Sequence, residues 1–195
     1  MRRFALIGVL AVLAAGCGGS GGGNTTTQAA FDGAEIQPQA QAPNFRLDDQ
    51  NGRPVTLAEQ RGHWLVVTFL YTHCPDVCPL IAANLNGALV SPMGKKAGLR
   101  VIAISVDPKR DTPAAVRKYV ADHRLAPTFH YLIGSPAQLR PVWRSYNVVT
   151  RPGPSGSVAH SSFELLIDPQ GKFRLLYDAT VKTAQVVHDL NVLTG

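Results

Sequence analysis

The stretch 64-WLVVTFLYTHCPDVCPL-80 governs how the rest of this 195-residue chain is read. Its first part, Trp64 to Leu70, is an apolar run interrupted only by Thr68, with the length and composition of a strand buried on both faces. Its end leads into Leu80, Ile81, Leu85, Leu89 and Val90, apolar at helical spacing, which predicts a helix from Pro79 to about Val90. Cys74 and Cys78 fall between the two. If Asp76 caps the helix, Cys78 lies in its first turn and Cys74 in the loop before it; Pro79 is tolerated there because early helical amides have no intrahelical partner. Unpaired amides and the positive end of the helix dipole favour a thiolate, which is both a nucleophile and a metal ligand. Three roles are open to the pair: a disulfide staple, a redox couple, or part of a metal site.

Outward from this stretch, strand-like and helix-like segments alternate. Residues 44-NFRLDDQNGRPVTL-57 predict a hairpin turning at Asn51 and Gly52. The run 99-LRVIAISVD-107 is a second buried strand, followed by a helix from about Thr112 to His123, capped by Asp111 or Thr112 with Pro113 early in it. A strand at Phe129 to Ile133 precedes a helix that opens at Ser135 and must absorb Pro141. Beyond the Gly and Pro loop 151-RPGPSGS-157, strands Ser162 to Ile167 and Phe173 to Tyr177 flank the turn 168-DPQG-171. An amphipathic helix from Val181 to about Leu193 closes the chain. The alternation implies an α/β fold with a central, mainly parallel sheet flanked by helices, an N-terminal hairpin and C-terminal antiparallel strands. A strand feeding a helix that carries two cysteines, then β-α-β, hairpin and helix, is the thioredoxin-like plan.

The amino terminus reads differently. In 1-MRRFALIGVLAVLAAGCGG-19 two arginines, an apolar run and small residues before Cys17 have the layout of an export signal. A cysteine at that point resembles the lipobox of bacterial lipoproteins, so residues 1–16 are expected to be a signal peptide and Cys17 the lipidated mature terminus. Residues 17–42, rich in Gly, Ser, Thr, Asn, Gln and Ala, read as a flexible tether, leaving 43–195 as one thioredoxin-like domain. Without Arg2 and Arg3 the formal charge falls from +6 to +4, with the basic residues scattered and no aromatic interleaving, which argues against nucleic acid. With Cys17 acylated, Cys74 and Cys78 are the remaining thiols of the chain's 3 cysteines, in a compartment where disulfides persist.

Three residues separate Cys74 from Cys78, one more than in the thioredoxin redox motif. The spacing permits a disulfide without requiring one, and it lets both sulfurs face one ion. Two thiolates are soft ligands suited to copper(I) or zinc, and a third ligand has to come from elsewhere. Of His63, His73, His123, His130, His160 and His188, His160 stands out. It follows the Gly and Pro loop, which in a thioredoxin-like fold comes up beside the cysteine helix. His73 adjoins Cys74, but neighbours in extended chain point to opposite faces, while His123 and His188 are assigned to the surface. The stretch 107-DPKRDTP-113 reads as a Pro turn and helix cap in preference to a surface of Asp107, Lys109, Arg110 and Asp111 that docks a partner or supports the site from behind its ligands.

Three segments in order, 71-YTHCPDVCPL-80, 104-ISVDPKRDTP-113 and 158-VAHSSFELLIDPQGKF-173, resemble the SCO/SenC family of copper-binding, thioredoxin-like proteins of cytochrome c oxidase assembly. The resemblance spans Pro43 to the carboxyl terminus. It implies that Cys74, Cys78 and His160 bind copper, and that the protein is a lipid-anchored, extracytoplasmic, monomeric chaperone passing copper to a terminal oxidase subunit, with a thiol reductant keeping its cysteines reduced. One departure is visible: Ala159 stands where the family usually has an acidic residue before the histidine. The rival expectation is an enzyme, a thiol-disulfide oxidoreductase that needs the two cysteines but not His160. A peroxiredoxin-like peroxidase fits less well, because Thr72 lies two residues before Cys74 where that motif expects three.

Overall fold

The computed structural model describes residues 31–153 and 156–195. The expected signal peptide, Cys17 and the first part of the tether lie outside the described residues. At the centre is β4 (Leu65–Leu70), all six of whose residues are buried, as its apolar run predicts. It pairs in parallel with β5 (Arg100–Ser105), and β5 in parallel with β6 (Phe129–Leu132). On its other side run β9 (Phe163–Ile167), β10 (Phe173–Asp178) and β1 (Ala34–Glu35), all antiparallel. The result is a mixed six-stranded sheet in the order β1-β10-β9-β4-β5-β6. The expected thioredoxin-like order of a cysteine-bearing strand-helix unit, β-α-β, hairpin and helix is present.

The helices are α1 (Val77–Val90), α2 (Pro92–Ala97), α3 (Pro113–Asp122), α4 (Pro136–Ser145) and α5 (Thr183–Thr194). α1 packs against α2, α5 and β5, burying Cys78, Ile81, Ala82, Leu85, Ala88 and Leu89. α4 runs through Pro141 and is anchored by Trp143, whose indole N–H donates to the Ser105 carbonyl at 2.9 Å, and by Tyr146 just beyond it, 5.7 Å from the Phe69 ring. The predicted hairpin is β2 (Arg46–Asp48) with β3 (Pro54–Thr56). Gly52 supplies the positive φ of its turn, and Asp49 Oδ1 accepts the amides of Asn51 and Arg53.

Three features differ from expectation. The folded unit starts before Pro43: β1 adds to the edge of β10, and the buried Asp189 carboxylate accepts the amides of Asp32 and Gly33 at 2.8 and 2.9 Å. Phe31 and Ile36 also pack against the core and Ala42 is buried, but they are few in a polar stretch and the backbone contacts leave no mark on residue type, so the composition gave no sign of them. A short extra helix, α2, follows α1, capped by Ser91 and ended by Gly98 in the left-handed conformation. The Gly and Pro loop is flanked by a small hairpin of its own, β7 (Thr150–Pro152) with β8 (Val158–His160).

Candidate metal centre

α1 begins at Val77, so Cys78 sits in its first turn and Cys74 in the preceding loop, as the sequence predicts. The expected cap is absent, because the Asp76 side chain accepts no hydrogen bond from the helix. Cys74 takes its place: its Sγ accepts the Cys78 amide N–H at 3.4 Å. Both thiols are free; Cys78 is buried and Cys74 partly exposed.

The two sulfurs are driven apart in acidity. The Cys78 thiol donates to Cys74, and backbone amides of Asp76 and Cys78 and the Tyr71 hydroxyl add to this, lowering the Cys74 pKa to about 5 against the opposing effect of burial. The same hydrogen bond, with burial next, pushes the Cys78 thiol far up. At neutral pH the pair therefore holds one proton, on Cys78, and Cys74 is the thiolate. The helix terminus favours a thiolate as predicted, but one sulfur receives the benefit.

His160 ends β8 and is partly buried. Its Nδ1 lies 2.7 Å from the Ser161 carbonyl. A carbonyl only accepts, so Nδ1 carries the ring proton and Nε2 presents its lone pair. Burial lowers the imidazole pKa, partly offset by the Ser161 contact and the Cys74 charge, so the ring is held in the neutral, ligating form. The three proposed ligands come into one neighbourhood without closing into a shell. Among the described residues, the group of His, Cys or acidic side chains with ligand atoms all within 4.8 Å of one another is Asp32, His188 and Asp189.

Two residues connect the parts of the site: Tyr71, to which the sequence gave no role, and Asp111, whose support of the site the sequence ranked below a turn and cap. Tyr71, the residue after β4, sets its ring edge-on to His160 with centroids 5.9 Å apart, while its hydroxyl meets both Cys74 and the Val158 backbone. It thus joins the cysteine loop to the hairpin that carries His160. Asp111 does not cap α3, which is capped by Thr112 with Pro113 next. Instead its buried carboxylate accepts the Thr72 amide and hydroxyl at 2.9 and 2.7 Å, the Ser105 hydroxyl at 2.6 Å and the Tyr131 hydroxyl at 3.3 Å. The 107–113 stretch is thus a turn and cap, and it also fixes the loop that leads to Cys74. The spacing of Asp111 from a strand end carried that signal only weakly.

The remaining histidines have other partners. His63 lies between the Gly98 carbonyl and Arg100, and His123 stacks on Tyr119 at 4.1 Å. His130 lies beside Asp49, His188 beside Asp32 and Asp189, and His73 beside the Thr72 hydroxyl.

A family model described as SCO1/SenC matches residues 33–195. The SCO2 homologue of Bos taurus mitochondria is 36% identical over 151 residues, 73% of this chain and 56% of that protein. The chain thus spans about half the length of that curated relative. ScoI of Bradyrhizobium japonicum, solved with copper bound, is 35% identical with a TM-score of 0.68, covering 78% of this chain and 98% of that one. ScoI of Arabidopsis thaliana, also solved with copper bound, is 29% identical with a TM-score of 0.71, covering 79% and 98%.

Proposed function

The chain belongs to the SCO1/SenC family, and from that premise we propose that it is a membrane-tethered copper chaperone, binding copper through Cys74, Cys78 and His160 and delivering it to the dinuclear copper centre of a terminal oxidase. The observation that carries this reading is a Cys74 thiolate and a Cys78 thiol at the start of α1, beside a neutral His160 whose Nε2 lone pair is available. Two soft sulfurs and one imidazole suit copper, and the relatives solved with copper bound support it. Loading releases the Cys78 proton, because the thiolate is the ligand. His160 then draws in toward the sulfurs. It sits on a two-stranded sheet separate from the main one, so this movement breaks no pairing of the core. Release reverses the sequence by ligand exchange with the acceptor's own ligands.

Residues 1–16 direct export, Cys17 carries lipid, and the protein faces the periplasm or an equivalent extracytoplasmic space as a monomer. Among the described residues no helix is long and apolar enough to cross a membrane. A thiol reductant keeps the pair reduced between cycles.

Anaerobic titration of the reduced protein with copper(I) and copper(II), followed by thiolate-to-copper charge transfer, tests the site. One equivalent is expected to bind, with binding lost in Cys74→Ala and Cys78→Ala and weakened by at least about tenfold in His160→Ala. Stoichiometric binding that survives all three substitutions together sinks the assignment. One observation favours a second reading, thiol-disulfide exchange: a partly exposed low-pKa thiolate beside a buried thiol is the asymmetry of an attacking and a resolving cysteine. That activity would persist in His160→Ala, whereas copper delivery would not.

A further inference from the structure

A cleft of about 520 Å³ opens beside the cysteine and histidine site, between the 106–110 turn and the β7-β8 hairpin. Lys109, Arg110 and Arg151 line it together with Asp107, Thr150 and Val158. Arg110 is neutralised, since its guanidinium pairs with the buried Asp107 carboxylate. Lys109 and Arg151 are exposed, and among the described residues neither has an ion pair. The residue directly across the hairpin from Arg151 is Ala159, which offers no carboxylate. The cleft therefore keeps two uncompensated positive charges.

The cleft is continuous with the site by direct contact. Arg151 pairs with Ala159 and Thr150 with His160, so the strand that lines the cleft lies against the strand that presents the proposed ligand. On the other wall, the Arg110 guanidinium lies 5.9 Å from the centre of the Tyr71 ring, and that ring meets His160 edge-on. A molecule seated here would touch the frame around His160 while leaving Cys74 free to exchange ligands.

Building on the copper-delivery reading above, we infer that this cleft docks an acidic segment of the protein with which copper is exchanged. Two exposed cations beside the hairpin that carries His160 attract carboxylates to the rim of the site and orient the encounter, raising the association rate more than the final affinity. Seating carboxylates against Lys109 and Arg151 also loads the hairpin, so that partner binding and the position of His160 become linked.

The test uses full-length, reduced, metal-free protein in detergent micelles and a fluorescein-labelled peptide of alternating Glu and Gly, read by fluorescence anisotropy. Lys109→Glu with Arg151→Glu is expected to weaken peptide binding by at least about tenfold, and Lys109→Gln with Arg151→Gln by an intermediate factor. Lys95→Glu with Lys96→Glu, which makes the same change in net charge on α2, is expected to change it by less than about twofold. Equal weakening by both Glu pairs, or no weakening by the first pair, overturns the inference. Copper stoichiometry measured on the same samples separates the two proposals. Unchanged loading in the cleft variants is expected, and a wild-type protein that binds the peptide but no copper would remove the copper reading while leaving the cleft's selectivity for carboxylates standing.

Discussion

Cys74 does in this protein what an Asp or Ser side chain does at other helix starts: its sulfur takes an orphan amide of α1. Because the acceptor is ionised, the capping amide adds to the low pKa, behind the larger contribution of the Cys78 thiol. At pH 7 iodoacetamide should therefore modify Cys74 rapidly and leave Cys78 untouched, as peptide mass spectrometry would show. The rate should fall as the pH drops through about 5. Tyr71→Phe removes a hydroxyl that lowers the Cys74 pKa, so its alkylation profile should move to higher pH while the fold melts at nearly the same temperature. An unchanged profile would mean that the hydroxyl's contact with the sulfur has no part in holding the thiolate. The sequence showed that a thiolate is favoured here but not which of the two, because the choice depends on Cys78 being enclosed by the core and Cys74 not.

At the scale of elements, the loop between β4 and α1 owes its shape to a residue almost forty positions away. The Asp111 carboxylate gathers donors from the cysteine loop, from the end of β5 and from β6. Asp111→Ala leaves these donors without their acceptor in a buried setting, so a loss of about 2–4 kcal/mol in urea unfolding is expected, with Asp111→Asn losing less. If Asp111→Ala unfolds like the wild type, the loop is held by something else. Helix starts were read at Thr112 and Ser135, where Ser or Thr precedes Pro and cap and first turn are encoded side by side. The same signal at Ser91 and Pro92 went unread, because α2 has only six residues and no room for a helical period. The β7-β8 hairpin was not readable. Its strands have three residues each and pair only with one another, which leaves no periodicity to detect.

At the scale of the whole molecule, β9 carries a charge-capable residue into the sheet's interior. Glu164 is fully enclosed beside Thr68, and burial raises its pKa to about 8, helped by the negative charge of Asp178. In the unfolded chain it titrates near the ordinary carboxyl value, so between about pH 4.5 and 8 the native state holds a proton that the unfolded state has released. Its contribution to stability therefore falls as pH rises through that window, by an amount of the order of a few kcal/mol. Glu164→Gln should flatten the pH dependence of Tm between 5 and 8 and melt higher than the wild type at pH 8; an unaltered slope would show that Glu164 is not protonated in the folded protein. What the sequence determined by itself is the alternation of the main strands and helices, the thioredoxin-like plan, and the position of the cysteines at a helix start. Each of these rests on local patterning of apolar, capping and turn residues along the chain. Tertiary structure alone decided which sulfur is ionised, that Tyr71 and Asp111 frame the site, that the fold begins before Pro43, and that two cations stand unpaired at its rim. Those depend on burial and on contacts between distant segments, and no local pattern of residue types encodes either.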